Sequence, residues 1–345
     1  MVQKEELQRC TAIIADCRNE MARRISGQKE MVDGLLTALV AGGHILLEGV
    51  PGLAKTLAVK SLAEITGLEF KRIQFTPDLL PADLTGTMIW EQANGKFSVR
   101  RGPVFANVIL ADEINRAPAK VQSALLEAME EKQVTIGEET HPLPDPFFVL
   151  ATENPIEHEG TYSLPEAELD RFLMKLLIFY PKPEEELDIV KNSPLFSSNS
   201  SNKGAALSPV LNREKLNLLR NAADSVHIDE DISKYIVSVV TATRPAATRQ
   251  VLAELQQKTD SAKTDTESVY RYVSFGASPR ASIALYRCSR ILAMFEGRNY
   301  VSPEDVKTAA FPVLRHRIVL SYEAEAEGMD ADAVITRILN HVPVP

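Results

Sequence analysis

The sequence predicts an α/β chain: a parallel five-stranded sheet with helices on both faces, interrupted by two hairpins and followed by a smaller all-α region. Three observations predict it. Short apolar runs alternate with stretches of helical spacing up to Pro181, the pattern of buried parallel strands joined by helical crossovers. Two turn-centred segments inside that alternation read as hairpins. Beyond Pro181 the apolar spacing turns helical. At 345 residues, 45% apolar and 25% charged, the chain is long enough for two domains with separate cores. We place them at residues 1–181 and 182–345.

Taken in order, residues 5 to 40 carry apolar positions at helical spacing, and Gly42-Gly43 ends the pattern. His44-Ile45-Leu46-Leu47 is the first strand run, and a helix follows to about Glu64. Further strands are expected near Leu68 to Phe75, Val104 to Ala111, Phe147 to Ala151 and Leu173 to Phe179. Between Met88 and Arg100 an Asn94-Gly95 turn sits between strand-like arms, the strongest short-range hairpin signal. Lys96, Arg100 and Arg101 on this hairpin, without a nearby acid, offer a contact for an acidic partner or else a solvated basic face. A second hairpin spans Gln133 to Leu143, turning near Gly137. Val121, Leu125 and Met129 form a helical stripe that reads as core. The polar stretch Ser197 to Gly204 reads as a flexible loop. Ser302-Pro303-Glu304-Asp305 carries a capping hydroxyl, a first-turn proline and an acid three residues after the cap.

Composition narrows the classes of function. A formal charge of −9 with 6% aromatic residues and one tryptophan disfavours a nucleic-acid coat, which draws its affinity from clustered Lys and Arg. No apolar run reaches the ~18 residues of a membrane span, and the N-terminus lacks a signal-peptide core, so a cytoplasmic location is expected. Cys10, Cys17 and Cys288 form neither an even set nor a CxxC pair, so inert thiols are expected rather than disulfides or a zinc site.

Two motifs carry chemistry. In Gly49-Val50-Pro51-Gly52-Leu53-Ala54-Lys55-Thr56, the glycines allow a loop whose N–H groups turn inward, and the following helix N-terminus adds a positive field. Lys55 then reaches terminal phosphates and Thr56 coordinates magnesium. The strict pattern places glycine where this chain has Ala54; a fortuitous Gly-rich turn is the alternative. Asp112 and Glu113 follow the apolar run Val108-Ile109-Leu110-Ala111, at the strand end where open α/β sheets bind ligands. Asp112 is expected to hold hydrated magnesium and Glu113 to accept a proton from, or orient, an attacking water. Paired acids here could instead cap a helix, yet Pro118 can start that helix unaided. Together the motifs imply binding and hydrolysis of a nucleoside triphosphate.

The stretches Gly49 to Thr56, Leu110 to Pro118, Ala151-Thr152-Glu153-Asn154-Pro155, Leu164 to Phe172 and Gly276-Ala277-Ser278-Pro279-Arg280-Ala281 resemble the MoxR family of AAA+ ATPases in the family's order, from about Gly27 to Arg317. The resemblance implies a P-loop AAA+ domain followed by a helical lid, with ATP and Mg2+ as cofactors. It also implies roles: Asn154 as the sensor 1 residue aligning the water, Arg171 as a finger reaching the neighbouring subunit's triphosphate, and Arg280 as sensor 2. Ile25-Ser26-Gly27-Gln28 lies where the family contacts adenine. The residues alone leave alternatives, namely a turn residue at Asn154, a surface ion pair at Arg171 and a structural arginine at Arg280. In the resemblance the two hairpins stand as a helix 2 insert and the hairpin before sensor 1, making Lys96, Phe97 and the Gly137 turn contacts for a remodelled partner. The family further implies a ring, expected to be six-membered, that activates or assembles client proteins, often metalloenzymes, together with a von Willebrand factor A-type protein. No such metal-sensing domain is expected within this sequence. A nucleic-acid motor, a magnesium chelatase ATPase subunit and a nucleotide-gated scaffold without turnover are the competing readings.

Overall fold

The computed structural model describes residues 4–25, 27–50, 52–92, 95–155, 160–191, 207–245 and 271–345. The polar stretch 197–204, together with Ser26, Pro51 and Asn94, lies outside the described residues. In chain order the strands are β1 (Ile45–Glu48), β2 (Phe70–Gln74), the hairpin β3 (Gly86–Glu91) and β4 (Lys96–Arg101), β5 (Val108–Asp112), the hairpin β6 (Gln133–Ile136) and β7 (Glu139–Pro142), β8 (Phe148–Glu153) and β9 (Met174–Leu177). Five of them form one sheet in the order β2-β5-β8-β1-β9, with β2, β5, β8 and β1 pairing in parallel.

That order positions the site. The chain leaves β1 for the far strand β2, while the connection from β8 passes β1 to reach β9, so the crossovers diverge and open a crevice at the carboxyl end of β1. Leu47 is level with Thr152, and Gln74 with Asp112. The loops after β1, β5 and β8 therefore leave the sheet along one edge.

The helical stretch expected over 5 to 40 is two helices, α1 (Lys4–Ala22) and α2 (Lys29–Ala41). Gly27 (φ 67°) and Gln28 (φ 50°) adopt left-handed backbone between them. β5 starts at Val108 rather than Val104, because Pro103 opens a 3-10 turn over Pro103–Phe105. Val104 and Ala106 are buried all the same, so packing rather than strand structure produces the apolar run there. Helix α3 spans Lys55–Thr66 and ends on left-handed Gly67. Helices α4 (Pro81–Thr85) and α5 (Ala119–Glu131) follow, and the stripe Val121, Leu125 and Met129 of α5 lies in the core with Leu46, Ile109 and Val149.

In the first hairpin Trp90 stands opposite Phe97 and Glu91 opposite Lys96. An acid thus faces one of its basic residues, contrary to the expectation of a hairpin without one. The arms carry two aromatic residues, Trp90 and Phe97, packed edge-on at 5.0 Å and 50% and 62% exposed. The second hairpin turns at Gly137 (φ +66°), where a Cβ would stand 2.5 Å from Met88 Sδ, so the two hairpins touch there.

By compactness the chain divides into Ala12–Phe172 with Leu176–Asn217, and Met1–Thr11 with Leu173–Lys175 and Leu218–Pro345. After the short α6 (Glu166–Leu169) come α7 (Pro183–Lys191), α8 (Arg213–Ser225), α9 (Glu230–Thr241), α10 (Pro279–Phe295), α11 (Pro303–Leu314), α12 (Tyr322–Ala326) and α13 (Ala331–His341). Helices α9, α10 and α11 pack on one another around buried Val239, Leu285 and Val306. A small antiparallel ribbon, Val273–Phe275 with Val319–Leu320, joins these helices. Ser302 and Asp305 form the expected capping box at the start of α11. Cys10, Cys17 and Cys288 are buried free thiols, and burial raises them to about 11, 12 and 12, so they stay neutral and unreactive.

His44, at the entry to β1, is fully buried. The Val149 N–H donates to its Nδ1 (3.0 Å), which places the ring proton on Nε2, 3.3 Å from the Met129 carbonyl oxygen. Burial pushes its pKa down to about 4, opposed by the Met129 bond and assisted by Lys132. Below about pH 6.5 the unfolded chain takes up a proton that the folded chain refuses until pH about 4. Stability is therefore complete above pH 6.5 and falls across that window, by up to roughly 3 kcal/mol. Thermal unfolding of wild type and His44→Gln at pH 7 and pH 5 tests this. The substitution is expected to flatten the loss, and an unaltered loss would refute it.

Candidate functional site

Gly49 and Gly52 serve the loop after β1 in different ways. A Cβ on Gly49 would lie 2.8 Å from the Ile178 carbonyl oxygen, whereas Gly52 has φ +87° with open space where its Cβ would be. Leu53 is buried and anchors the loop. Ala54 takes the left-handed conformation at φ 57°, which costs an alanine roughly 1–2 kcal/mol. Glycine suits that position better, so Ala54 keeps the loop's path at some strain. Helix α3 then starts at Lys55 with no side-chain cap and no acid in its first turn. Its N-terminal N–H groups are left for an anion, with Lys55 and Thr56 beside them.

Lys55 Nζ donates to the Gly49 carbonyl at 2.6 Å and lies 3.4 Å from the Glu153 carbonyl oxygen. Burial lowers its pKa from the ordinary lysine value, opposed by the carboxylates of Asp112, Glu113 and Glu48. Glu153 adjoins Thr152, which bonds Asp112 and the Glu113 N–H, so the lysine and both acids stand at one end of the sheet, where an ammonium suits anionic phosphates.

Both acids belong to a closed hydrogen-bond circuit. Asp112 Oδ1 accepts from Thr152 Oγ1 (2.6 Å), and Oδ2 accepts from Arg72 Nη2 (2.6 Å) and Nε (2.9 Å). Arg72 Nη2 also donates to Gln74 Oε1 (2.9 Å), and Gln74 Nε2 donates to Glu113 Oε2 (2.7 Å). The Glu113 N–H closes the circuit on Thr152 Oγ1 (2.8 Å). Arg116 pairs with Glu113 Oε2 at 3.2 Å. Glu113 itself sits at φ 56°, ψ 53°, a left-handed conformation that a non-glycine residue keeps only when its surroundings impose it. Hard carboxylate and hydroxyl oxygens at a strand end suit magnesium.

The sequence assigns no role to Arg72, Gln74, Arg116 or Thr152, although Arg116 and Thr152 stand within its motifs. The hydroxyl of Thr152 next to the apolar run Phe148 to Ala151, and the shared side of Arg72 and Gln74 on a strand of period two, are the signals that point to them.

Asn154 follows β8 and is 4% exposed, one residue beyond the carbonyl facing Lys55. Gln28 Nε2 donates to the Phe179 carbonyl at 3.0 Å, so Gln28 and Gly49 meet adjoining residues of one segment, Ile178-Phe179. A Cβ on Gly27 would lie 2.4 Å from the Glu185 carboxyl carbon. Arg171 is bonded elsewhere, its Nε 2.9 Å from Glu130 Oε2 with both side chains partly exposed. Arg280 lies exposed in the first turn of α10, where Ser278 caps its N–H at 3.1 Å. A cation there opposes the helix dipole, so the position does not serve helix stability. Gly276 precedes this turn because a Cβ would stand 2.3 Å from the Thr243 carbonyl oxygen.

Residues 44–174 match the ATPase family associated with various cellular activities (AAA), and residues 267–338 match the AAA lid domain. The chain is 46% identical to Chaperone MoxR1 of Mycobacterium tuberculosis over 94% of this chain and 81% of that protein. It is 43% identical to the protein YeaC of Bacillus subtilis over 94% and 92%. A crystal structure from Cytophaga hutchinsonii superposes with a TM-score of 0.85 at 47% identity, covering 99% of this chain and 97% of that one. Fold and site thus define an AAA protein with its lid. More narrowly, the chain belongs to the MoxR family of chaperone-like AAA+ ATPases. Among the described residues no helix is long and apolar enough to cross a membrane.

Proposed function

We propose that this chain hydrolyses ATP within a ring of like subunits, expected to be six, and that the cycle drives remodelling, activation or assembly of partner proteins in the cytoplasm. The observation that carries the reading is that Lys55 faces the Glu153 carbonyl while the neighbouring Thr152 bonds both Asp112 and the Glu113 N–H.

Residues 1–181 act as the nucleotide-binding domain and 182–345 as the lid. The loop Gly49 to Thr56 holds the phosphates, with Gly27 and Gln28 bordering the base. Thr56 and Asp112 hold magnesium, which supplies neutralising charge to the phosphates. Glu113 accepts the proton of the attacking water, whose direction Asn154 sets. Arg171 reaches the nucleotide of the adjoining subunit, exchanging Glu130 for phosphate oxygens that its fixed fork can bind in pairs. Arg280 reports the phosphates to the lid. Lys96, Phe97, the Gly137 turn and, beside them, Trp90 meet the client, for which a metalloenzyme acting with a von Willebrand factor A-type protein is the proposed class.

A site completed by a neighbour makes activity depend on assembly. Turnover per subunit, measured with Mg2+ and ATP across a dilution series, is expected to fall as sedimentation reports dissociation. Constant turnover by protein that sediments as a monomer would contradict the reading.

A further inference from the structure

Helix α5 touches both of the segments to which the proposed function assigns chemistry. In its first turn the fully buried Gln122 donates through Nε2 to the Ile114 carbonyl (3.1 Å) and the Tyr162 carbonyl (3.0 Å). Ile114 adjoins Glu113, and Tyr162 lies just ahead of the segment Leu164 to Phe172 that carries Arg171. The Tyr162 N–H makes a second link, donating to the Asn115 carbonyl at 2.6 Å. The Tyr162 N–H is thus tied directly to the turn after Glu113, and its carbonyl to the same turn through the Gln122 amide.

The next residue, Ser123, donates to Glu168 Oε1 at 2.8 Å, on the short helix before Arg171. Near the other end of α5, Glu130 accepts from Arg171 Nε at 2.9 Å. Ser123 and Glu130 are two turns apart and so share a helix face. Val121, Leu125 and Met129 bury the opposite side, which holds these side chains at a fixed spacing. Gln122 is a poor choice for packing alone, since its Oε1 is buried without a hydrogen-bond partner. An apolar side chain would fill the space without that penalty. Its two donated bonds are what the amide provides.

We propose that Gln122 and Ser123 are positioning residues that couple the water-activating acid of a protomer to the finger it presents to its neighbour. Gln122 ties the Glu113 turn to the finger segment, and Ser123, with Glu130, sets the finger itself. Gln122 therefore bears on both sites, and Ser123 on the finger alone. The coupling rests on the proposed roles of Glu113 and Arg171.

The test uses mixed assemblies of Arg171→Ala subunits, which keep their cradle and acid, with Lys55→Ala subunits, which keep their finger. Every productive site then draws its acid from the first kind and its finger from the second. Ser123→Ala placed in the finger donors is expected to lower turnover about tenfold, as loss of one positioning bond allows. Placed in the acid donors it is expected to change turnover by less than about twofold. Gln122→Met is expected to lower turnover up to about 100-fold from either kind, with the KM for ATP held within about twofold. Should Gln122→Met fail to fold, Gln122→Ala, which also removes both donated bonds, takes its place. A Gln122→Met loss confined to one kind or absent from both, or equal effects of Ser123→Ala in both kinds, would overturn the proposal while the parent mixture still turns over. A parent mixture without recovered turnover overturns the roles of Lys55 and Arg171, and the coupling with them.

Discussion

Glu113→Gln is expected to bind ATP as the wild type does and to turn it over at least about 100-fold more slowly, the effect of removing a general base. The geometry makes this an unusually clean substitution. The Glu113 N–H, which donates to Thr152 at 2.8 Å, is untouched, and an amide oxygen can still accept from Gln74, now 2.7 Å from Glu113 Oε2. The Asp112 pairing with Arg72 and Thr152 does not involve the altered atoms. What disappears is the negative charge and its capacity to take a proton. Nucleotide affinity by titration and turnover by phosphate release separate the two effects. Unchanged turnover would remove Glu113 from the chemistry.

Arg171→Ala is expected to leave nucleotide affinity nearly unchanged and to lower turnover by about 1,000-fold or more, the contribution of an arginine finger to phosphoryl transfer. Within the subunit it makes a partly exposed pair with Glu130, and such pairs add no more than about 1 kcal/mol. The loss therefore falls on turnover rather than folding. Arg171→Lys separates charge from shape, since an ammonium cannot bond two phosphate oxygens in the same fork. Wild-type turnover by Arg171→Ala would assign the residue to the surface pair alone.

Much of this site is legible in the sequence because phosphate and metal chemistry restrict residue type. Few arrangements other than a cradle put Gly49, Gly52, Lys55 and Thr56 between a strand and a helix, and the acids announce themselves at the end of an apolar run. The circuit behind them is not legible in the same way. Arg72 reaches Asp112 because Gln74 is level with Asp112 in the sheet, and register between distant strands leaves no mark on either strand alone. Backbone conformation hides as well: nothing in Gln28, Ala54 or Glu113 as residue types announces a positive φ, since only glycine favours it. The break between α1 and α2 and the strained turn at Glu113 both escape for that reason. Val104 misleads in the opposite direction, because burial alone makes a short apolar run resemble a strand.

The claim at the centre is that one protomer's Lys55, Asp112 and Glu113 are completed by the next protomer's Arg171. Mixing Arg171→Ala with Lys55→Ala subunits, each inactive by itself, tests it most directly. Recovered ATP turnover that peaks at intermediate mixing ratios is the predicted result, since only adjacent unlike subunits assemble an intact site. A mixture that stays inactive at every ratio, although both variants co-assemble, would contradict it.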